Sequence, residues 1–122
     1  MRLRSRVEGD RVVLHYTPRE TDLGYRRIVH GGITMTLMDE VMTWAAILAA
    51  RQMCVAAEMS SRLRAPVVVG GALRIEGWVT HFRPRLILTE GVVLDSSDAI
   101  LAQATGKYVP MPRDHVTPCS ED

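Results

Sequence analysis

One segment governs what this chain can become. From Gly31 or Gly32 to about Arg51 the residues favour helix and include no proline. Apolar side chains fall on nearly every side of that helix, from Ile33, Met35 and Leu37 through Val41, Met42 and Trp44 to Ile47, Leu48 and Ala49. A helix apolar almost all round has to be enclosed. The rest of the chain reads as strands, so no second helix is available to enclose it. The fold expected is α+β: one long central helix wrapped by a curved antiparallel sheet of five to six strands, with a partner subunit closing what remains.

The strand readings follow from period and punctuation. Residues 2–16 alternate around Gly9-Asp10 and suggest one or two strands, and residues 17–25 read as loop. Cys54 to Leu63 forms a strand that stops before Ala65-Pro66, and Gly70-Gly71 turns the chain. Leu73, Ile75, Gly77 and Val79 alternate with Arg74, Glu76, Trp78 and Thr80, the period of a strand with one buried face. Arg85 to Leu94 and Ile100 to Val109 flank the polar turn Asp95-Ser96-Ser97-Asp98 and pair as a hairpin. In the last of these, Ala102, Ala104 and Gly106 share a face. Residues 1–110 make one domain, and the proline-rich residues 111–122 make an extended tail.

Composition narrows the class. A chain of 122 residues holds a single domain, and with 47% hydrophobic residues it can bury a core. Fifteen Lys and Arg against 14 Asp and Glu give a net charge of +1, which argues against nucleic acid as a partner. Two cysteines, Cys54 and Cys119, make no disulfide framework and no metal spacing. The charged N-terminus lacks a signal-peptide core, and the longest unbroken apolar run, Trp44 to Ala50, is short for a bilayer span. A cytoplasmic protein without membrane contact, metal or cofactor is expected.

Chemistry is concentrated on the helix. Thr36, Asp39, Glu40 and Thr43 lie at spacings of three, one and three, along one stripe of an otherwise apolar surface. A carboxylate there is costly to bury unless it is paired, interfacial or functional. His30-Gly31-Gly32 opens the helix, where backbone N–H groups and the helix dipole stabilise negative charge on an oxygen. Arg62 and Arg64 share a strand face and suit the phosphates of an anionic ligand, though a solvated face explains them as well. Met35, Met38, Met42, Met53 and Met59 read as core filler.

The stretches GYRRIVHGGITMTLMDEVMTWAA (Gly24 to Ala46), AEMSSRLRAPV (Ala57 to Val67) and AQATGKYVP (Ala102 to Pro110) resemble the hotdog-fold acyl-CoA thioesterases, in particular the phenylacetate-pathway type. The resemblance implies a hotdog fold, hydrolysis of an acyl-CoA thioester, and coenzyme A as part of the substrate. It implies that a backbone N–H of Gly31 or Gly32 polarises the thioester carbonyl. The acid nine positions beyond His30, Asp39, then acts as base or nucleophile from the facing subunit of a homodimer or homotetramer. His30 completes the catalytic set, as a general acid or, as the resemblance favours, by fixing the loop, and Glu40 is structural or interfacial. Met35, Thr43, Ser60, Ser61, Arg62 and Arg64 are the expected substrate contacts; Met42, Val55 and Met59 are further candidates for a pliant acyl wall. Two polar helpers of the family are missing, at Gly24 and at Ala56, and Ser60 or Ser61 is the expected substitute. A non-catalytic acyl-CoA-binding hotdog protein is the competing reading, and a hotdog hydratase or dehydratase a weaker one.

Overall fold

The computed structural model describes residues 5–19, 23–25, 28–29, 31–67 and 70–112. Two strands open it, β1 (Ser5–Glu8) and β2 (Arg11–Tyr16), joined at Gly9-Asp10, where Gly9 takes a left-handed φ of 66° that suits glycine. A short antiparallel pair follows, β3 (Leu23–Tyr25) and β4 (Ile28–Val29), where a loop was expected as far as Tyr25. Strands of three and two residues are too short to display a period, which is why the sequence pattern passes over them. Helix α1 (Gly31–Ala50) comes next, and then β5 (Cys54–Leu63), β6 (Leu73–Arg83), β7 (Leu86–Leu94) and β8 (Ile100–Pro110). Six of the strands form one antiparallel sheet in the order β1-β2-β6-β7-β8-β5.

The helix lies against one face of this sheet, and glycines set how closely. Gly77 on β6 pairs with Gly91 on β7, and Gly91 pairs with Ala104 on β8, so a row of small residues crosses three strands. A Cβ at Gly77 would stand 2.8 Å from the Val41 carbonyl carbon, and one at Gly91 would stand 3.1 Å from Met42 Cγ. The middle of α1 therefore seats directly on the sheet backbone. Thr34, Leu37, Met38, Val41, Met42, Ala45 and Ala46 are the buried helix residues, spaced at three and four, and the apolar ones pack against Leu14, Ile75, Ile87, Val93 and Tyr108 in one cluster.

Burial is one-sided, in keeping with the expectation that the sheet of one chain covers only part of the helix. Met35, Trp44 and Leu48 are 41%, 43% and 50% exposed, so this chain by itself leaves an apolar flank of α1 uncovered. The methionines divide accordingly: Met38 and Met42 are core and Met59 packs at its edge, whereas Met35 and Met53 lie on the surface. By length and apolarity α1 could cross a bilayer, yet its apolar face is applied to the sheet. The helix ends at Arg51, which adopts a left-handed φ of 58° and donates its N–H to the Ile47 carbonyl at 2.7 Å.

Candidate active site

Asp39 is the ninth residue of α1, half-buried on the flank that faces β8. Along β8 the residues turned toward the helix are Ala102, Ala104, Gly106 and Tyr108, and three of these are small. The fourth is the largest fully buried side chain among the described residues. The Tyr108 hydroxyl donates to Asp39 Oδ1 at 2.7 Å. Thr43, one turn further along the helix, places Oγ1 3.2 Å from the same Oδ1 and 3.3 Å from Tyr108 Oη. The carboxylate is thus held by two hydroxyls that converge on one oxygen, and neither reaches Oδ2. Burial, with the hydrogen bond and charge of Asp39 adding to it, pushes the Tyr108 phenol far above its ordinary value, so it is a proton donor throughout the neutral range.

The two adjacent acids part company. One residue turns the helix by about 100°, and Glu40 accepts instead from the Trp44 indole N–H at 2.8 Å on the other flank. Asp39 and Thr43 alone of the polar stripe meet Tyr108. Thr36 donates to the Gly32 carbonyl at 2.8 Å and caps nothing on the sheet.

At the N-terminus of α1 an open cleft of about 260 Å³ is lined by Gly31, Thr34, Met35, Met38, Ser61, Arg62, Leu63 and Ala102. Gly31 faces open space and its backbone has no left-handed φ, so neither crowding nor chain strain within this chain requires a glycine there. His30 lies outside the described residues. The candidate substrate residues separate according to strand register. Ser61 pairs with Ala104 and turns toward the helix, into the cleft. Ser60 and Arg62 pair with Thr105 and Gln103 and belong to the opposite face, although Arg62 also borders the cleft, and Arg64, just beyond the strand, donates to Gln103 Oε1 at 2.6 Å. The structure does not bring Ser60 and Arg64 to Asp39. Nor is Met42 a cavity wall, since it is fully buried over Gly91, and Val55 pairs with Val109 on the outer face. A larger concavity of about 600 Å³ lies on the outer face, among Arg11, Trp78, Gln103 and Thr105; it takes in Ser60, shares Ser61 and Arg62 with the smaller cleft, and is lined by neither Asp39 nor Gly31. Gly31, at the start of α1, lines the smaller cleft instead.

Tyr108 escaped the sequence reading. Its register partner on β5 is Ala56, the position where a hydroxyl was expected and is missing. The hydroxyl beside Asp39 comes from the neighbouring strand. The available signal was a lone large polar-tipped residue closing the inward series Ala102, Ala104, Gly106.

The sheet order and the single helix laid across it define a hotdog fold. The chain belongs to the thioesterase superfamily, whose family model matches residues 27–102. Similar solved structures include a Streptococcus mutans protein bound to acetyl-CoA, 20% identical, covering 91% of this chain and 90% of that one with a TM-score of 0.84. The Escherichia coli PaaI protein from the phenylacetic acid degradation operon is 17% identical, with 90% and 80% covered and a TM-score of 0.84. A hypothetical thioesterase from Streptococcus pneumoniae, solved with coenzyme A, is 17% identical, with 90% and 89% covered and a TM-score of 0.83. No curated protein matches the chain.

Proposed function

We propose that this protein hydrolyses the thioester of an acyl-CoA, with Asp39 as the reacting acid and the first-turn amides of α1 as the oxyanion hole. One observation carries the reading: a carboxylate on the inner flank of the family's helix is held through one oxygen by Tyr108 and Thr43. Oδ2 receives neither hydroxyl and is left for a reacting group, whereas Glu40 is drawn to Trp44 on the other flank. Membership of the thioesterase superfamily supports it, as do relatives of the same fold solved with acetyl-CoA and coenzyme A.

The geometry favours a site shared between two copies. Asp39 lies eight residues beyond Gly31, about 12 Å along the helix axis. A carbonyl group whose oxygen meets an amide spans only about 7 Å to Asp39 if the acid attacks its carbon directly, and about 10 Å if a water stands between them, both short of that separation. The Gly31 amide of one protomer therefore works with Asp39 of another. The carbonyl oxygen rests on the N–H of Gly31 or Gly32, and Asp39 takes a proton from water as the water oxygen adds to the carbonyl carbon. The tetrahedral oxyanion collapses, the C–S bond breaks, and coenzyme A leaves as thiolate to collect the proton. Direct attack by Asp39, with water then cleaving the anhydride, uses the same residues.

The test is release of free thiol from a panel of acyl-CoAs by wild type and by Asp39→Asn. Asp39→Asn is expected to lower kcat by about 10²- to 10⁴-fold while the fold survives. A wild type that binds coenzyme A esters and releases no thiol from any of them would move the protein to the non-catalytic class.

A further inference from the structure

We infer that Tyr108 is the positioning residue of Asp39: its hydroxyl takes one carboxylate oxygen and so sets the direction of the other toward the reacting group. The inference rests on Asp39 being the reacting acid. An Asp carboxylate turns about two torsions, and the second is a broad, roughly two-fold well that a short side chain explores freely. A donor on Oδ1 removes that freedom. The Tyr108 bond is the shorter of the two that Asp39 receives, 2.7 Å against 3.2 Å, and a neutral phenol on a carboxylate is a charge-assisted donor. Thr43 has a single proton and two acceptors at nearly equal distance, Asp39 Oδ1 and Tyr108 Oη, so it backs the phenol rather than replacing it.

The phenol is itself fixed. The Tyr108 ring lies over Gly106: a Cβ built there would stand 2.7 Å from ring Cε1 and 3.0 Å from Thr89 Oγ1. Thr89 is buried and donates to the Gly106 carbonyl at 3.3 Å, which closes the seat from the next strand. Tyr108 has no exposed surface, so its hydroxyl has one direction in which to point. Glycine at 106 is thus explained by the ring above it, and the ring by the carboxylate at its end. A side chain that only filled the core would not need the hydroxyl.

Two experiments test this. In protein labelled at tyrosine ¹³Cζ, the chain has three tyrosines, and Asp39→Asn should shift the single resonance that Tyr108→Phe deletes. No shift would overturn the inference whatever the activity. In thiol-release kinetics, Tyr108→Phe should lower kcat by about 10- to 100-fold, the range for losing one hydrogen bond to a charged group, with KM within about twofold of wild type. Gly106→Ala keeps the hydroxyl but displaces the ring, and should lower kcat in the same way when read on the folded fraction. A folded Tyr108→Phe with wild-type kcat, lower only in melting temperature, would reduce Tyr108 to a tether of helix to sheet. An Asp39→Asn enzyme that keeps its rate would instead remove the underlying assignment.

Discussion

At the scale of single residues the distribution of hydrogen bonds separates Asp39 from its neighbour. Glu40 is bonded to Trp44 on the far flank of the helix, so Glu40→Gln is expected to leave kcat within about threefold of wild type, against the far larger fall for Asp39→Asn. A reversed ranking in thiol-release assays would transfer the role to Glu40. Gly77 offers a test of packing: a methyl group there would meet the backbone and Cγ2 of Val41 at 2.8 Å, and a helix backbone cannot step aside as a flexible side chain can. Gly77→Ala should cost about 1–3 kcal/mol in urea unfolding, as overpacking does. Asp39 was legible in the sequence because it interrupts an apolar helix at a fixed distance from His30. Tyr108 was not, because its partner lies 69 residues away and a tyrosine in a strand reads as an ordinary β-former.

Between elements, a charged chain crosses the outer face of the sheet. Arg11 on β2 donates to Glu76 on β6 at 2.8 Å and stacks over Trp78, with its guanidinium carbon 3.9 Å from the ring centre. Arg74 donates to Glu76 at 2.6 Å and to Asp98 in the turn before β8 at 2.8 Å. Burial pushes the Glu76 carboxyl up, but the bonds from Arg11 and Arg74 outweigh it and hold the carboxyl below its ordinary range. A lowered folded-state value means that the contribution is complete above the unfolded value of about 4.3 and is lost as pH falls through the folded one. The stability difference between wild type and Glu76→Gln, measured by urea unfolding, should therefore be constant near neutrality and shrink below about pH 4. A difference that stays constant into the acid range would discount the network. The strands from β5 to β8 were legible because alternation and turn residues coincide there, as at Leu73 to Val79. That part of α1 would stay uncovered was legible too, but not which flank, since a helix apolar on nearly every side does not say which side meets the sheet.

Over the whole molecule, β5 is the longer of the sheet's two edge strands among the described residues: ten residues, with Val55 and Leu63 about half exposed and Met35 of the helix uncovered as well. Long apolar edges are normally protected, and a second copy of the chain would cover this one while bringing its Asp39 to the first chain's helix amides. Sedimentation should find a dimer or larger assembly at micromolar concentration, with a melting temperature that rises with protein concentration. A stable monomer would remove both the assembly and the shared site. The strand order also carries a consequence in time. The run β6-β7-β8 is a meander joined by short turns, whereas β2 must find β6 across the length of the helix and β5 must find β8 from the far side of the meander. Closing the shorter loops costs less chain entropy, so the meander should assemble first. Val93→Ala on β7 should then slow refolding, while Leu14→Ala on β2 should mainly hasten unfolding, as a chevron of each variant would reveal. On that schedule β5, which carries Ser61, settles after the meander, and a nascent chain would acquire that wall of the cleft only once β6, β7 and β8 are in place.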